Sequence, residues 1–561
     1  MEKVDSDHTQ EKSMDYEETF VPQKLTLDDL DDPEAQASSL IHRTWTQESA
    51  EEDAIARVLS LSSRRSKHDA TTPLPKMGGG KPYPPELPKD REAFKVEFDS
   101  LKDPIHPHNW PMFKKLYTCM TLGFTTFVVC WGSAAYASAA PYVSAEFEVG
   151  SVVAILGVTL YILGFASGPV MWAPLSELYG RKIPIVLSCL GLTVFSFGAA
   201  TAKDLQTLLL CRFFGGFLGA SPLVVTAAAF ADLFNNRTRG IALTIYSGTV
   251  FVGPIVGPVV SGFISYSYLG WRWTLYLVGI MAALVLVLNV LFYEETYHPV
   301  ILVSKAKELR RRTGNWGIYA PQETVELDLG ELVVNNLTRP LKMLLMEPII
   351  LLITIYTAFM YGILYLLLEA YPVVFAEGYK MKGGIEGLPY LGVAIGEMLS
   401  GVAGVFLFEP MYLRAMDRNG GKIIPEYRLP GAMVGGVIFP IGALWFTWSG
   451  NYPDKVHWIV PTISGIFTGF GLMSIFLSCI NYIVDSYLVF AASALAANTF
   501  LRSGAGAVFP LFAVQMFHNL GTNWAGTLIG CLAIVLAPVP FVFFFFGKKI
   551  RTKSKYAFVL N

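Results

Sequence analysis

Twelve separate apolar segments, each long enough to cross a lipid bilayer, occupy most of the chain after residue 100. A transmembrane helix needs about 20 predominantly apolar residues. Inside a bilayer every backbone polar group needs a partner within the protein, and a helix supplies those partners from its own segment. The sequence therefore predicts an all-α membrane protein with 12 transmembrane helices, called spans 1 to 12. The segments are centred near Phe127, Tyr161, Gly191, Gly219, Val252, Leu284, Met360, Gly396, Val437, Gly469, Thr499 and Ile534.

The composition supports a membrane protein and argues against other classes. Hydrophobic residues make up 53% of the chain and charged residues 16%, whereas soluble domains average about 25% charged residues. The formal net charge of −2 is close to neutral and carries no argument about nucleic acid. The expected partner is the lipid bilayer, and no nucleic acid is expected. The six cysteines lie in or beside the predicted spans without metal-ligand spacing, so we interpret them as packing residues and expect no metal site.

Changes in composition divide the chain into five parts. Residues 1–100 are polar, with acidic clusters, and are predicted to form a disordered cytoplasmic tail. Residues 101–295 and 346–547 each carry six segments, which predicts two six-helix bundles. The connection 296–345 is predicted to be a cytoplasmic loop whose basic run forms an amphipathic helix on the membrane surface. Residues 548–561 form a basic cytoplasmic tail. No apolar leader opens the chain, so the first span is expected to act as its own insertion signal.

The positions of lysine and arginine predict the orientation. These residues concentrate in alternate connections, whereas the other connections are poor in positive charge and include Glu146 and Glu148. Because positive loops remain in the cytoplasm, both termini are predicted to be cytoplasmic. Two glycosylation sequons, at Asn236 and Asn336, then fall on the cytoplasmic side and are expected to carry no glycan.

Glycine and proline recur with a helical period in span 5, from Gly248 onwards. Gly253 and Gly257 are four residues apart, so one helix face there has almost no side chain and a neighbouring helix can approach its backbone. Pro254 and Pro258 each remove a backbone donor and favour a bend beside this face. From these residues alone, close packing of two membrane helices is sufficient to explain the pattern.

Glu397 and Arg212 are charged residues inside predicted spans. Glu397 is about twelve residues into span 8, roughly 18 Å from its outer end and close to mid-bilayer. A carboxylate there is costly unless it is protonated, paired or facing water, so Glu397 is a candidate proton carrier. Arg212 is about seven residues into span 4, where it either extends to the interface or helps to couple protons to substrate.

Further polar residues share helix faces in the second half. Tyr361, Tyr365 and Glu369 are spaced by four in span 7, which indicates either a substrate-binding face or an interfacial anchor. Asn498 and Arg502 are four apart in span 11, where the alternative to a functional role is a structural pair with a neighbouring helix. The candidates for proton coupling and the substrate cavity are Arg212, Tyr361, Tyr365, Glu369, Glu397, Asn481, Tyr482, Asn498 and Arg502.

The connection between spans 2 and 3 reads PLSELYGRK, residues 174–182. Gly180 permits a tight turn, and Glu177 and Arg181 are close enough in sequence to pair across it. The alternative is a solvated turn whose positive charges only set the orientation.

Several stretches together resemble signatures of the major facilitator superfamily, and within it the fungal drug:proton antiporters with 12 spans. The segment starting at Gly248 resembles the antiporter signature G-x-x-x-G-P-x-x-G. PLSELYGRK resembles the loop signature G-x-x-x-D-x-x-G-R-[KR], with Glu177 in place of Asp. Three other stretches also resemble signatures of the family, namely DPIHPHNWP, CRFFGGFLGASP and YEETYHPV. Three more resemble signatures of the polyamine and multidrug exporter branch, namely PEYRLP, NYIVDSY and AASALAANTFLRSGAGAVFPLF.

The resemblance implies two bundles around a central cavity and transport by alternating access. It implies proton-coupled export of drugs and organic cations such as polyamines across the plasma membrane, with the vacuolar membrane as an alternative. It also implies an inner gate of Glu177, Gly180, Arg181 and Asp232 that ties the bundles together. The expected partners are amphipathic or cationic small molecules and protons. The protein is expected to be a monomer that uses the proton gradient and no cofactor.

The sequence gives no indication of an enzyme. It lacks the phosphate-binding loop G-x-x-x-x-G-K-[ST], and it contains no recognisable metal or nucleophile motif. Two alternatives to an exporter remain open. One is a transporter-like nutrient sensor that signals through the acidic tail, and the other is an importer with the same fold.

Overall fold

The computed structural model describes residues 94–99, 103–234, 236–324, 329–420, 424–487, 491–552 and 554, without the side chains of 236, 237, 329–337, 491 and 492. Most of the predicted N-terminal tail, and residues 553 and 555–561 of the predicted C-terminal tail, lie outside the described residues. Across these ranges the secondary structure is helical apart from one isolated β-bridge between Lys95 and Tyr319.

Within the described ranges, twelve helical segments are long and apolar enough to cross a membrane, which confirms the twelve predicted spans. Residues 103 and 551 lie on the side predicted above to be cytoplasmic, which we call the inner side. The opposite side is the outer side. Spans 1 to 12 are Met112–Glu146, Ser151–Leu178, Lys182–Thr201, Leu205–Leu233, Thr238–Tyr266, Arg272–Phe292, Pro348–Gly378, Ile385–Arg418, Pro425–Gly450, Ile459–Ser486, Ser493–Leu520 and Thr522–Arg551.

Several spans consist of more than one helix, and proline or glycine lies at most of the breaks. Proline is tolerated in the first turn of a helix but cannot continue one without losing a hydrogen bond. Pro372 accordingly begins a π-helical end of span 7, and Gly404 begins a π-helical segment within span 8. The component α-helices of the interrupted spans are Met112–Ala134 and Ala140–Glu146, Leu205–Gly219 and Ser221–Leu233, Pro348–Tyr371, Tyr390–Ala403 and Glu409–Arg418, Pro430–Gly450, and Thr522–Leu536 and Pro538–Arg551.

Glycines allow neighbouring spans to pack backbone against backbone. A β-carbon at Gly216 of span 4 would lie 2.1 Å from the carbonyl oxygen of Tyr161 in span 2. One at Gly396 of span 8 would lie 2.0 Å from the carbonyl oxygen of Ile466 in span 10. Small residues allow this approach because helices in lipid associate by close packing.

Spans within each half of the chain pack against one another, and the two halves meet along two seams. In the first half, span 1 packs on span 5, span 2 on span 4 and span 3 on span 6. In the second half, span 7 packs on span 11 and span 10 packs on spans 8 and 9. Span 2 against span 11, and span 5 against span 8, form the most extensive span-to-span contacts between the halves.

In its described residues, the inner connection between the halves contains two α-helices, His298–Thr313 and Leu329–Met346, and a short 3-10 helix, Pro321–Thr324. The first contains the basic run that we predicted to form an amphipathic helix. Its Ala306 is fully buried and forms a small apolar cluster with Val96 and Ala320. Residues just before span 1 and just after the helix therefore cover this part of its apolar face.

Candidate functional site

Arg212 lies inside the first bundle, and its side chain points into the protein rather than towards the interface. It is only 3% exposed. Its guanidinium donates hydrogen bonds to the backbone carbonyls of Gly157, Gly132 and Ser133 at 2.9, 2.8 and 3.2 Å. The same group lies 4.3 Å from the ring centroid of Tyr161, a favourable cation–π distance. Arg212 therefore joins span 4 to spans 1 and 2, which excludes the snorkelling alternative.

A row of hydroxyl groups connects this arginine to the second half. The hydroxyls of Ser133 in span 1 and Tyr365 in span 7 share a hydrogen bond of 2.7 Å. The hydroxyl of Tyr365 is 3.5 Å from that of Tyr361. The guanidinium of Arg502 in span 11 lies 4.7 Å from the ring centroid of Tyr361 and 4.8 Å from that of Phe476. We call the connected residues the central polar row: Arg212, Ser133, Tyr365, Tyr361 and Arg502.

Glu369 and Asn498 are also buried. Glu369 is 8% exposed and its Oε1 has no hydrogen-bond partner among the described residues. It therefore does not act as an interfacial anchor. The amide nitrogen of Asn498 donates to the Thr357 hydroxyl at 2.6 Å, which links span 11 to span 7. Asn498 thus forms the structural pair that the sequence left as an alternative.

Glu397 is buried within span 8 and has no polar partner. The residue is 2% exposed, and neither carboxylate oxygen has a hydrogen-bond partner in the part of the chain that the structure describes. An ionised carboxylate at such a position carries a large desolvation penalty, so the protonated form is favoured unless water or a cation reaches it. Among the candidates, Glu397 is the carboxyl group whose surroundings most strongly favour proton binding.

Two adjacent candidates in span 10 point in different directions. Asn481 lines a small cavity on the inner side, together with Ser478. Tyr482 instead faces span 12, where its ring centroid is 6.1 Å from that of Phe543. Consecutive residues of a helix are about 100° apart. The sequence interpretation placed both side chains in one central cavity. The structure instead directs them to different neighbouring elements.

An ionic cluster closes the inner ends of spans 2, 3 and 4. Arg181 donates to the Asp232 carboxylate at 3.0 Å, and its guanidinium lies 4.4 Å from the ring centroid of Tyr297. Burial alone would lower the pKa of Arg181, but the Asp232 charge and hydrogen bond outweigh it and raise this pKa. The Glu295 carboxylate accepts from the backbone N–H of Arg181 at 2.8 Å. Gly180 has a φ of 86°, and a β-carbon there would lie 2.3 Å from Glu295.

The inner gate implied by the family resemblance differs from this arrangement. Arg181 forms its hydrogen-bonded ion pair with Asp232, at the inner end of span 4, and interacts with Glu177 only through its charge. Since both residues belong to the first bundle, their ion pair does not itself tie the two bundles together. Glu177 interacts electrostatically with Arg181 and with Arg339, which lies in the helix preceding span 7. Among the four residues of the expected inner gate, Glu177 therefore lies near a charge of the connection to the second half.

Three histidines stack beside this cluster on the inner side. The rings of His106 and His298 are 4.3 Å apart, and those of His106 and His108 are 4.9 Å apart. A ring nitrogen of His298 is 3.2 Å from the backbone oxygen of Asp232. Burial and the neighbouring histidines lower the pKa of His106 to about 4, and they lower the pKa of His298 to about 4. His106 and His298 are therefore neutral near pH 7.

A second ionic cluster closes the inner ends of spans 8, 9 and 10. Arg428 donates to Glu409 at 2.5 Å and to Asp485 at 2.8 Å, and all three side chains are less than 10% exposed. Its guanidinium lies 3.4 Å from the ring centroid of Tyr412. A β-carbon at Gly240, near the start of span 5, would lie 2.2 Å from the Glu409 carboxylate. This cluster therefore contacts the first bundle directly.

The glycine face of span 5 packs against span 1. A β-carbon at Gly253 would lie 2.8 Å from the Cβ of Cys130, and one at Gly257 would lie 3.2 Å from the backbone nitrogen of Ala135. A β-carbon at Gly248 would meet no atom within 4 Å. Gly248, at which the glycine pattern of span 5 begins, therefore lies outside this close contact.

The outer end of span 5 also contacts the second bundle. A β-carbon at Gly384, in the connection between spans 7 and 8, would lie 2.7 Å from the backbone nitrogen of Phe263. Gly384 has a φ of 88°, which favours glycine. The backbone oxygen of Pro258 accepts a hydrogen bond of 3.1 Å from Ser138. The approach of Gly384 to Phe263 closes the outer side between spans 5 and 8, whereas the Ser138–Pro258 bond joins spans 1 and 5 within the first bundle.

The comparison with known families decides the assignment. The model described as "Major Facilitator Superfamily" matches residues 122–510, which is more than half of the chain. The chain belongs to the major facilitator superfamily. It is accordingly a membrane transporter and not an enzyme. No group of histidine, cysteine, aspartate or glutamate among the described residues could hold a metal ion.

Several superfamily relatives are similar over most of their length. The Major facilitator superfamily multidrug transporter FLU1 of Candida albicans is 53% identical over 89% of this chain and 81% of its own. The multidrug transporter TPO1_2 of Candida glabrata is 50% identical over 93% of this chain and 91% of its own. Among solved structures, the xylose transporter XylE of E. coli matches with a TM-score of 0.53 and 17% identity, covering 75% of this chain and 96% of XylE. This likeness bears on the fold.

Superfamily architecture explains a cluster that the sequence interpretation missed. The two halves of major facilitator proteins are repeats related by an axis along the membrane normal. Arg428 and Asp485 lie at the start of span 9 and the end of span 10, six spans after Arg181 and Asp232. An aspartate at the inner end of both span 4 and span 10 was the available signal.

Proposed function

We propose that this transporter exports drugs and organic cations, polyamines included, in exchange for protons. Relatives about half identical to this chain are named multidrug transporters, which supports drugs as substrates. The proposed location of the protein is the plasma membrane. Both termini are proposed to lie in the cytoplasm, because the charge pattern predicts that orientation.

One observation carries the proton coupling. Glu397 is buried in span 8 with two unpartnered carboxylate oxygens. A carboxyl group is neutral when it is buried away from water and ionised when water reaches it. Such a group can bind a proton in one conformation of the protein and release it in another. Alternating access supplies that change of surroundings, since opening one side of the protein admits water while the other side stays closed.

The central polar row provides a binding face for an organic cation. In the present conformation, Arg502 lies over the ring of Tyr361. Aromatic faces attract organic cations as they attract arginine, with roughly 0.5–2 kcal/mol per contact. A cationic substrate would displace the guanidinium from this ring, and the buried carboxyl group of Glu369, one helical turn from Tyr365, would supply the opposite charge.

The inner and outer contacts correspond to the two gates of this cycle. Outward opening requires separation of Gly384 from Phe263 and rupture of the bond between Ser133 and Tyr365. Inward opening requires Glu409 to leave the start of span 5. Each set consists of a few contacts of modest energy, so the two conformations can exchange without unfolding of a bundle.

Export from inside-out vesicles tests the proposal. Vesicles containing the protein, with an acidic lumen and a neutral bath, are expected to take up a fluorescent organic cation, and spermine is expected to compete. A protonophore is expected to abolish uptake. A nutrient sensor would show no uptake, and an importer would move the cation out of the vesicles. Either result would overturn the proposal.

A further inference from the structure

The interface between spans 8 and 10 has an outer half and an inner half that differ in chemistry. In the outer half, glycines bring the two backbones together. A β-carbon at Gly392 would lie 2.2 Å from the carbonyl oxygen of Thr462, and one at Gly469 would lie 2.1 Å from that of Val393. A seam this tight leaves no room for water between the helices.

The inner half of the same interface is polar. The hydroxyls of Ser400 in span 8 and Ser474 in span 10 share a hydrogen bond of 2.7 Å. Both line a cavity of about 20 Å³, which is room for one water molecule. Spans 5 and 10 add further polar groups to the cavity wall, namely Thr244, Ser478 and Asn481.

Glu397 lies between these halves. Ser400 and Gly404, three and seven residues further along span 8, both line the cavity. Residues with these spacings share one face of a helix, so Glu397 lies on the cavity-facing side about 4.5 Å along the axis from Ser400. The seam separates its carboxyl group from the outer side.

The local backbone agrees with a polar passage. From Gly404 to Phe408, span 8 is π-helical. Such segments interrupt the regular backbone hydrogen bonding and are frequent at functional sites. The inner end of the cavity is formed by Glu409 and Arg428, so the second ionic cluster closes it towards the cytoplasm.

We propose that the Ser400–Ser474 pair and this cavity form the cytoplasmic proton path of Glu397. This proposal rests on the proposed proton-coupled export. When the second ionic cluster opens, water enters the cavity. Glu397 passes its proton to the Ser400 hydroxyl or to a water beside it, and the hydroxyl pair passes a proton on to the inner water. The carboxyl group becomes a carboxylate, and one proton appears in the cytoplasm.

Two substitutions of equal size test the path. Ser474→Thr keeps the hydroxyl, whereas Ser474→Val has nearly the same shape without it. Both add a methyl group near span 9, so any crowding is shared by the pair. Ser400→Thr and Ser400→Val form a second matched pair on the opposite helix. Each variant is purified and reconstituted in proteoliposomes.

The expected result separates proton release from substrate movement. Export driven by a pH gradient is expected to fall about tenfold in each Val variant relative to its Thr partner, since the proton relay is interrupted. Exchange of labelled for unlabelled drug at equal pH requires no net proton release, so it is expected to be the same within each pair. A structural defect would lower both rates together.

Three outcomes would overturn the path. The first is equal gradient-driven export by the Thr and Val variants. The second is a Val variant with a raised KM for drug, which would mean that the cavity binds substrate. The third is a parallel loss of drug exchange. Glu397→Gln distinguishes the two proposals. Gradient-driven export by that variant would refute Glu397 as the proton carrier. Loss of that export in Glu397→Gln, together with normal export by the Val variants, would refute the path alone.

Discussion

Ser133 and Tyr365 share a hydrogen bond of 2.7 Å across the interface between the two halves of the transporter. Ser133 also donates to the backbone oxygen of Cys130 at 2.6 Å. The backbone carbonyl of Ser133 accepts a hydrogen bond from Arg212, and the hydroxyl of Tyr365 is close to that of Tyr361. The bond therefore connects the buried arginine of the first half to the aromatic face of the second.

Tyr365→Phe is expected to weaken the closed outer side. A net hydrogen bond contributes about 1 kcal/mol, so its loss is expected to shift the balance of conformations about fivefold towards the outward-open state. Distances between spin labels at the outer ends of spans 1 and 7 report this shift. Tyr356→Phe is the matched control, because the Tyr356 hydroxyl in the same span has no partner within the described residues. An unchanged distribution in Tyr365→Phe would contradict the role given to this bond.

The glycine contact of span 5 predicts a positional effect on transport. Gly257→Leu inserts a side chain where the backbone of span 1 is about 3 Å away, and is expected to give folded, correctly delivered protein with reduced or leaky export. Gly248→Leu makes the same change at a position with open space. Export is expected to remain near normal in that control. Similar export by the two variants at matched expression would show that the contact is unimportant.

The histidine stack predicts a loss of stability in acid. The lowered pKa values of His106 and His298, about 4, are below the usual value of about 6.5. Between these values the unfolded chain binds more protons than the folded protein, so stability falls as pH decreases from about 6.5 to about 4. His106→Asn is expected to flatten the dependence of the thermal midpoint on pH over this range.

His457→Asn is the control for that measurement, because His457 is exposed and lies on the outer side. It is expected to leave the acid slope as in the parent protein. An identical slope in His106→Asn and the parent would show that the stack does not sense acid.

Orientation is open to a direct biochemical test. Asn236 and Asn336 lie in helices on the inner side, and their side chains lie outside the described residues. With that side in the cytoplasm, neither asparagine can meet the glycosylation machinery. Digestion with an endoglycosidase is expected to leave the electrophoretic mobility unchanged. A shift that disappears in Asn336→Gln would reverse the assigned orientation.

Hydropathy predicted the spans because a bilayer allows few alternatives to an apolar helix. Side-chain direction was harder to predict. Asn481 and Tyr482 are adjacent in sequence, yet one lines the inner cavity and the other packs on span 12. Sequence spacing within span 10 cannot identify which neighbouring helix lies on each side.

Proximity in sequence also failed to predict ion pairs. Glu177 and Arg181 were expected to pair across a turn, but Arg181 is paired with Asp232, 51 residues away. The carboxylate of Glu295, 114 residues away, occupies the space beside Gly180 and caps the turn. Such partners are set by helix packing, which brings the ends of three spans together and carries no local sequence signature.

The central claim is that Glu397 exchanges a proton for each cycle of export. Purified protein in proteoliposomes, with a pH gradient and a fluorescent organic cation, allows drug and proton fluxes to be followed together. Glu369→Gln is the matched control, because it also neutralises a buried carboxyl group. It is expected to change drug affinity more than turnover, since Glu369 is proposed to attract the substrate.

Glu397→Gln is the measurement that tests this claim most directly. The variant is expected to lose gradient-driven export and the accompanying proton flux, while it still binds a neutral drug, because glutamine keeps the size of the side chain but cannot release a proton. Export with normal proton flux in Glu397→Gln would contradict the account.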